Sequence, residues 1–174
     1  MKASRKLGGM QVVGNYLSEF ALRLRGTSSD DGLFARSAFN RYYYATFLAS
    51  RQLLAETTGT GGLPHKALPE YLIGAFQRTL KHQIAAGFRS GLLSKSDRSR
   101  MLGIVKQNTL LLRQLLVEAY SVRVLADYEP DVPVQVKDDT YSLGASTLSA
   151  ASNWSGRAQM HCKNLHRIWK DLGN

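Results

Sequence analysis

The chain has one cysteine, Cys162, in 174 residues, which excludes an internal disulfide and points to a reducing compartment. No apolar run approaches the roughly 18–20 residues of a membrane span, so no membrane association is expected. The opening stretch, MKASRKLGGMQVV, is basic but lacks the apolar core of a secretory signal, and the expectation is a cytoplasmic protein. Proline is scarce, four residues in all. Acidic residues are few: 13 against 23 lysines and arginines, a net charge of +10. The excess is spread over the first three quarters of the chain rather than gathered in a tail, and such a field favours polyanions, nucleic acid above all.

What is abundant is helical periodicity. Residues 10–25 space Val13, Tyr16, Leu17, Phe20 and Leu24 at three- and four-residue steps, which predicts one buried face. GTSSDDG follows, where Ser29, Asp30 or Asp31 can cap the next helix, predicted from Leu33 to Leu54. ETTGTGGLP ends it, and a third helix begins near Ala67 to Pro69. A long fourth helix is predicted from Asp97 to Tyr128 and a last one from Ser142 to Leu172. The alternation Val132–Val136 is short and contains a proline, so no strand is predicted there. The fold class expected is all-α, a single-domain bundle of about five helices over residues 1–174.

On a helical projection of residues 33–54, Ala38, Phe39, Tyr42, Ala45, Ala49 and Leu53 share one side, with Tyr43 and Phe47 bordering the polar stripe. Arg36, Ser37, Asn40, Arg41, Tyr44 and Arg51 occupy the other. Three arginines on one stripe repel weakly, and an anion nearby would relieve them. In the fourth helix, Leu111, Leu115, Ala119, Val122 and Ala126 form the core side. Beside them lie Arg113, Tyr120, Arg123 and Asp127; the last two, four apart, have the spacing of an ordinary surface salt bridge.

Three segments carry a family resemblance. RSAFNRYYYATFLASRQLL is similar to an Arg-x-Tyr-Tyr-Ala-x-Phe helix, RVLADYEPD to an Arg-x-x-Ala-Asp-Tyr helix end, and LPHKAL to a His-Lys helix start. In this order they resemble the prokaryotic branch of the HEPN superfamily of helical bundles, over roughly residues 33–130. The resemblance implies a dimer with a groove in which many members cut RNA without a metal. Cleavage there uses an arginine, to hold the phosphate, and a histidine after four to six intervening residues, to move protons. This chain departs from that pattern. Its histidines are 65, 82, 161 and 166, and Arg78–His82 and Arg157–His161 have only three intervening residues. Arg123 keeps its place, with Tyr128 where the histidine would stand and Asp127 next to it.

The expected catalytic set is therefore Arg123, Asp127 and Tyr128. The expected nucleic-acid or nucleotide contacts are Arg36, Asn40, Arg41, Tyr44, His65 and Lys66. A tyrosine is a poor base at neutral pH, and Asp127 paired with Arg123 is weakened as one. Three readings stay open: a metal-independent endoribonuclease of toxin or defence type; a non-catalytic module that binds RNA, a nucleotide or a nucleotidyltransferase-type partner; and a polar stripe that only joins a homodimer. GTGGLPHK lacks the Gly-Lys-Ser/Thr ending of a phosphate loop. In RAQMHCKNLHRIW, His161 and His166 fall on different helical faces without a full ligand set. No metal or cofactor is expected.

Overall fold

In the computed structural model, residues 2–28 and 30–173 are described, with side chains from residue 8 onward. Among them the chain is an all-α helical bundle: α1 (Lys2–Leu24), α2 (Asp31–Thr58), α3 (Ala67–Tyr71), α4 (Gln77–Arg89), α5 (Lys95–Tyr128), α6 (Leu148–Ser152) and α7 (Trp154–Asp171). Residues Leu72–Phe76 join α3 to α4 as a π-helical turn. A small sheet, β1 (Gln135–Lys137), β2 (Thr140–Leu143) and β3 (Ser146–Thr147), is antiparallel in the order β1-β2-β3. No helix among the described residues is long and apolar enough to cross a membrane.

The chain falls into two compact units. The first comprises the chain up to Leu48 and Leu116–Arg157; the second, Ala49–Leu115 and the chain from Ala158. In the first, α2 buries Ala35, Ala38, Phe39, Tyr42, Tyr43, Ala45 and Phe47, and α5 buries Leu116, Ala119 and Val122. Tyr43 and Phe47, expected at the border of the polar stripe, are 1% and 2% exposed. The indole of Trp154, fully buried, lies 6.5 Å from the Phe39 ring and donates to Glu118 Oε1 at 3.3 Å.

Helix α1 differs from expectation. Val13, Tyr16 and Phe20 are exposed, Tyr16 at 66%, whereas Gly14 and Ala21 turn inward. The reason is the close approach of α2: a Cβ on Gly14 would stand 2.7 Å from Tyr42 Cε1 and 2.8 Å from Cδ1. Tyr42 lies in that notch and donates to Asn15 Oδ1 at 3.1 Å. Gly14→Ala is therefore expected to destabilise by about 1–2 kcal/mol, overpacking outweighing the helix propensity gained. Gly103→Ala, where a Cβ meets nothing within 4 Å, is expected to stabilise by about 0.5–1 kcal/mol. Urea denaturation of the two variants checks both signs.

The sheet replaces the first part of the helix predicted from Ser142. Asp138 and Asp139, with φ of 47° and 60°, make the two-residue turn that pairs Lys137 with Thr140. Gly144, at φ 59°, begins the second reversal. Tyr141 is then buried, donating to Asp31 Oδ2 at 2.7 Å and Ala21 O at 3.2 Å; burial and the Asp31 hydrogen bond push its phenol up to about 12. Of the expected caps on α2, Ser29 lies outside the described residues. Asp31 Oδ1 accepts from Gly32 N–H, and Ser28 Oγ accepts from Asp30 N–H.

In the second unit, Leu68, Leu72, Phe76, Leu80 and Ile84 are all fully buried. A side chain every fourth residue drifts by about 40° per step on an ideal α-helix. The wider π turn takes up that drift and keeps the five on one side. At this turn Gln77 Nε2 donates to Thr109 Oγ1 (2.8 Å), and the Tyr71 hydroxyl lies 3.1 Å from Thr60 Oγ1. Helix α5 starts on a capping box: Ser94 Oγ accepts from Asp97 N–H at 3.0 Å and donates to Asp97 Oδ2 at 2.6 Å. That hydrogen bond, with Arg100 beside it, holds the Asp97 carboxyl below its ordinary range.

Candidate functional site

In the first unit, one stripe of α2 runs along the C-terminal end of α5. Its members, Arg36, Asn40 and Tyr44, are four residues apart and so share a face. Each meets a different part of α5 or of the chain leaving it.

Arg36 meets the end of the helix. Its Nη1 donates to Leu125 O (2.8 Å), Glu129 O (3.2 Å) and Ala126 O (3.5 Å), and its Nη2 to Pro130 O (3.2 Å) and Val132 O. The last carbonyls of a helix have no intrahelical partner and carry the negative end of its dipole. The guanidinium satisfies them and the turn that follows. Arg36, expected to contact a ligand, is thus consumed in holding the end of α5.

Asn40 donates from Nδ2 to Asp127 Oδ1 at 2.5 Å, and Asp127 Oδ2 lies 2.8 Å from Arg123 Nε. The salt bridge suggested by the spacing of 123 and 127 exists, and it is more sheltered than a surface pair: the Arg123 side chain keeps 13% of its exposure. Nε itself is buried and makes an ion-pair contact without hydrogen-bond geometry. Arg123 Nη2 donates to the Tyr128 hydroxyl at 3.0 Å, and the guanidinium lies 4.8 Å from the centre of the Tyr128 ring. Burial works against the charge of Arg123, but the Tyr128 hydrogen bond, Asp127 and Tyr44 outweigh it and raise its pKa. Among the described residues, no acceptor takes the Nη1 hydrogens. Tyr128 is 62% exposed.

Two further tyrosines complete the surroundings. Tyr43 lies edge-on to Tyr44 (5.5 Å) and Tyr120 (5.8 Å). Burial raises the Tyr43 pKa, with Arg123 partly opposing it. Tyr120 stands three residues before Arg123, a helical neighbour by spacing alone; Tyr43 was not anticipated here because the projection put it at the edge of the stripe. The result is a guanidinium among phenol rings, anchored on a carboxylate, with free donors left.

The other expected residues divide between the two units. Among the described residues, Arg41 reaches only Met10 Sδ, at 3.9 Å. Arg51, in the second unit, donates from Nε to Gly61 O at 2.7 Å. With Arg36 on carbonyls and Arg51 on a loop, two of the three arginines thought to await an anion have main-chain acceptors. His65 and Lys66 belong to the second unit. Lys66 stands at the N-cap of α3, exposed and without a side-chain cap, and His65 is half-buried before it.

Near the C-terminus, His161 is 5% exposed and its Nδ1 pairs with Asn108 Oδ1 at 2.9 Å. Cys162 directs its thiol to Ala49 O at 3.8 Å, and burial pushes it up to about 12. His166 Nδ1 lies 3.8 Å from Glu56 Oε2. Among the described residues, no three His, Cys, Asp or Glu side chains converge as metal ligands would.

No family model matches the chain, and no match is found among curated proteins or solved structures.

Proposed function

We propose that this protein is a HEPN-like RNA-binding protein that grips the backbone with Arg123 and stacks a base on Tyr128. The observation that carries the reading is the Arg123 guanidinium, fixed by Asp127 and Tyr128 yet keeping Nη1 donors, beside an exposed phenol ring. A guanidinium with spare donors suits a phosphate, and an exposed aromatic suits an unpaired base. The net charge of +10 supports a polyanionic ligand. Gripping is favoured over cutting because no histidine follows Arg123 at the family's spacing and Asp127 is engaged by both Asn40 and Arg123.

Fluorescence anisotropy with a labelled single-stranded RNA tests it. Arg123→Ala is expected to weaken binding roughly tenfold or more, the loss of a charge-assisted hydrogen bond, and to lower the salt slope by about one. Tyr128→Ala is expected to cost about 1–3 kcal/mol of stacking, most of it restored by Tyr128→Phe. Unchanged affinity in Arg123→Ala sinks the proposal.

Cleavage is the second reading, favoured by one observation: a carboxylate oxygen of Asp127 2.8 Å from the Arg123 guanidinium. Asp127 would take the proton of a 2′-hydroxyl as that oxygen attacks the phosphorus; the P–O5′ bond breaks, leaving a 2′,3′-cyclic phosphate, and the departing 5′-oxygen takes a proton from water. RNA cleavage in EDTA, lost in both Asp127→Asn and Arg123→Ala, supports this reading, and intact RNA removes it. The resemblance extends the proposal to a cytoplasmic homodimer working beside a nucleotidyltransferase-type protein.

A further inference from the structure

The second unit contains a cleft of about 250 Å³ between α5 and α7. It lies apart in the sequence from the Arg123 cluster and does not depend on the RNA reading. Two arginines line it, Arg100 from α5 and Arg167 from α7, together with Gln107, Asn164 and Asp171.

Its floor is a polar network inside a helix–helix contact. Asn108 is 7% exposed and His161 5%. Asn108 Oδ1 faces His161 Nδ1 at 2.9 Å and accepts from Asn164 Nδ2 at 3.1 Å, while Asn108 Nδ2 donates to Ile104 O at 2.8 Å. These bonds fix which way the Asn108 amide points, since its oxygen must face Asn164 and its nitrogen Ile104. With that oxygen accepting, His161 donates from Nδ1, a tautomer assigned from its partners. Buried amides and an imidazole are costly unless satisfied, so apolar residues would join α5 to α7 with less demand. What the network adds is orientation: Asn164 is pinned at the cleft with its second Nδ2 hydrogen unused by the pairing.

We infer that this cleft binds the phosphate group of a small phosphomonoester. Two guanidiniums and oriented amide donors match a tetrahedral dianion. Among the described residues Arg100 is held by an exposed 3.2 Å pair with Asp97, an interaction weak enough to exchange for a ligand. Asp171 leaves the lining one positive charge in excess and offers an acceptor to a hydroxyl on the ligand. The size limits the occupant: clefts for drug-sized molecules run to roughly 300–1,000 Å³, so this one takes the phosphate and its ester carbon while the rest lies outside.

Isothermal titration of the full chain with inorganic phosphate, adenosine 5′-monophosphate and adenosine tests this. The monophosphate and phosphate are expected to bind, and adenosine at least tenfold more weakly. Arg100→Ala and Arg167→Ala should each weaken the monophosphate by roughly tenfold or more, with thermal unfolding unchanged because both side chains are exposed. Arg89→Ala, an exposed charge on α4, should leave it within about twofold. Adenosine binding as well as its monophosphate, equal loss in Arg89→Ala, or no heat from either phosphate overturns the inference. Loss in Arg123→Ala with retention in Arg167→Ala assigns the phosphate to the first unit and overturns it too.

Discussion

Replacing Trp154 by alanine is expected to lower the stability of the chain by about 3–5 kcal/mol, the range for deleting a large buried aromatic. Trp154 is the largest of the fully buried side chains, lies against Phe39 and spends its one donor on Glu118. Its removal opens a cavity that neighbouring helices cannot close without moving. Domains are stable by only about 5–15 kcal/mol in total, so at least about a fifth of the margin disappears. Trp154→Phe should recover most of it, because the ring volume largely returns and Glu118, which is exposed, can be hydrated instead. Urea midpoints for the three proteins decide the matter. A loss below about 1 kcal/mol in Trp154→Ala, typical of a surface change, would show that this ring is not a keystone.

Arg36→Ala is expected to cost about 2–4 kcal/mol, because the charge-assisted hydrogen bonds and the favourable interaction with the helix dipole disappear together. Five carbonyls share that guanidinium. Arg36→Lys should recover less than half, since an ammonium is a point charge without the planar fork. Arg41→Ala, in which the side chain removed reaches only Met10 among the described residues, should stay within about 0.5 kcal/mol. Amide exchange resolves the cause: in Arg36→Ala, protection should fall first in the last turns of α5, around residues 122–128. If Arg36→Ala instead keeps full stability but loses RNA affinity, Arg36 is a ligand contact after all, as the sequence pattern alone suggested.

That pattern illustrates how far the residues could be read. Helix-forming periodicity is local, so the α2 core residues Ala38, Phe39, Tyr42, Ala45, Ala49 and Leu53 were all legible and all are buried. The Arg123–Asp127 pair was legible too, because four residues is a helical contact distance. What a projection omits is what lies across from each face. It shows Arg36 as polar without showing that the end of another helix stands opposite, and it shows Tyr16 and Phe20 as apolar without showing that α2 meets the glycine side of α1. The sheet was missed for a different reason. Its signal is the Asp138-Asp139 pair between two short runs, a turn encoded by left-handed backbone rather than by hydrophobic alternation. The π turn had a signal as well, in the strict four-residue spacing of Leu68, Leu72, Phe76, Leu80 and Ile84.

The π turn bears on how this chain can change in length. It holds one residue more than the same stretch of α-helix would, so between Leu72 and Phe76 the chain carries, in effect, a tolerated insertion. Losing a residue there leaves a plain α-helix in which the side chains beyond it keep nearly their present direction, because the residue removed is the one the wider turn absorbs. Leu80 and Ile84 would then stay on the side that Leu68 and Leu72 define, whereas a deletion within α4 would turn every side chain after it by about 100° relative to those before. This turn is thus the place where the segment can lose a residue and keep its inner face.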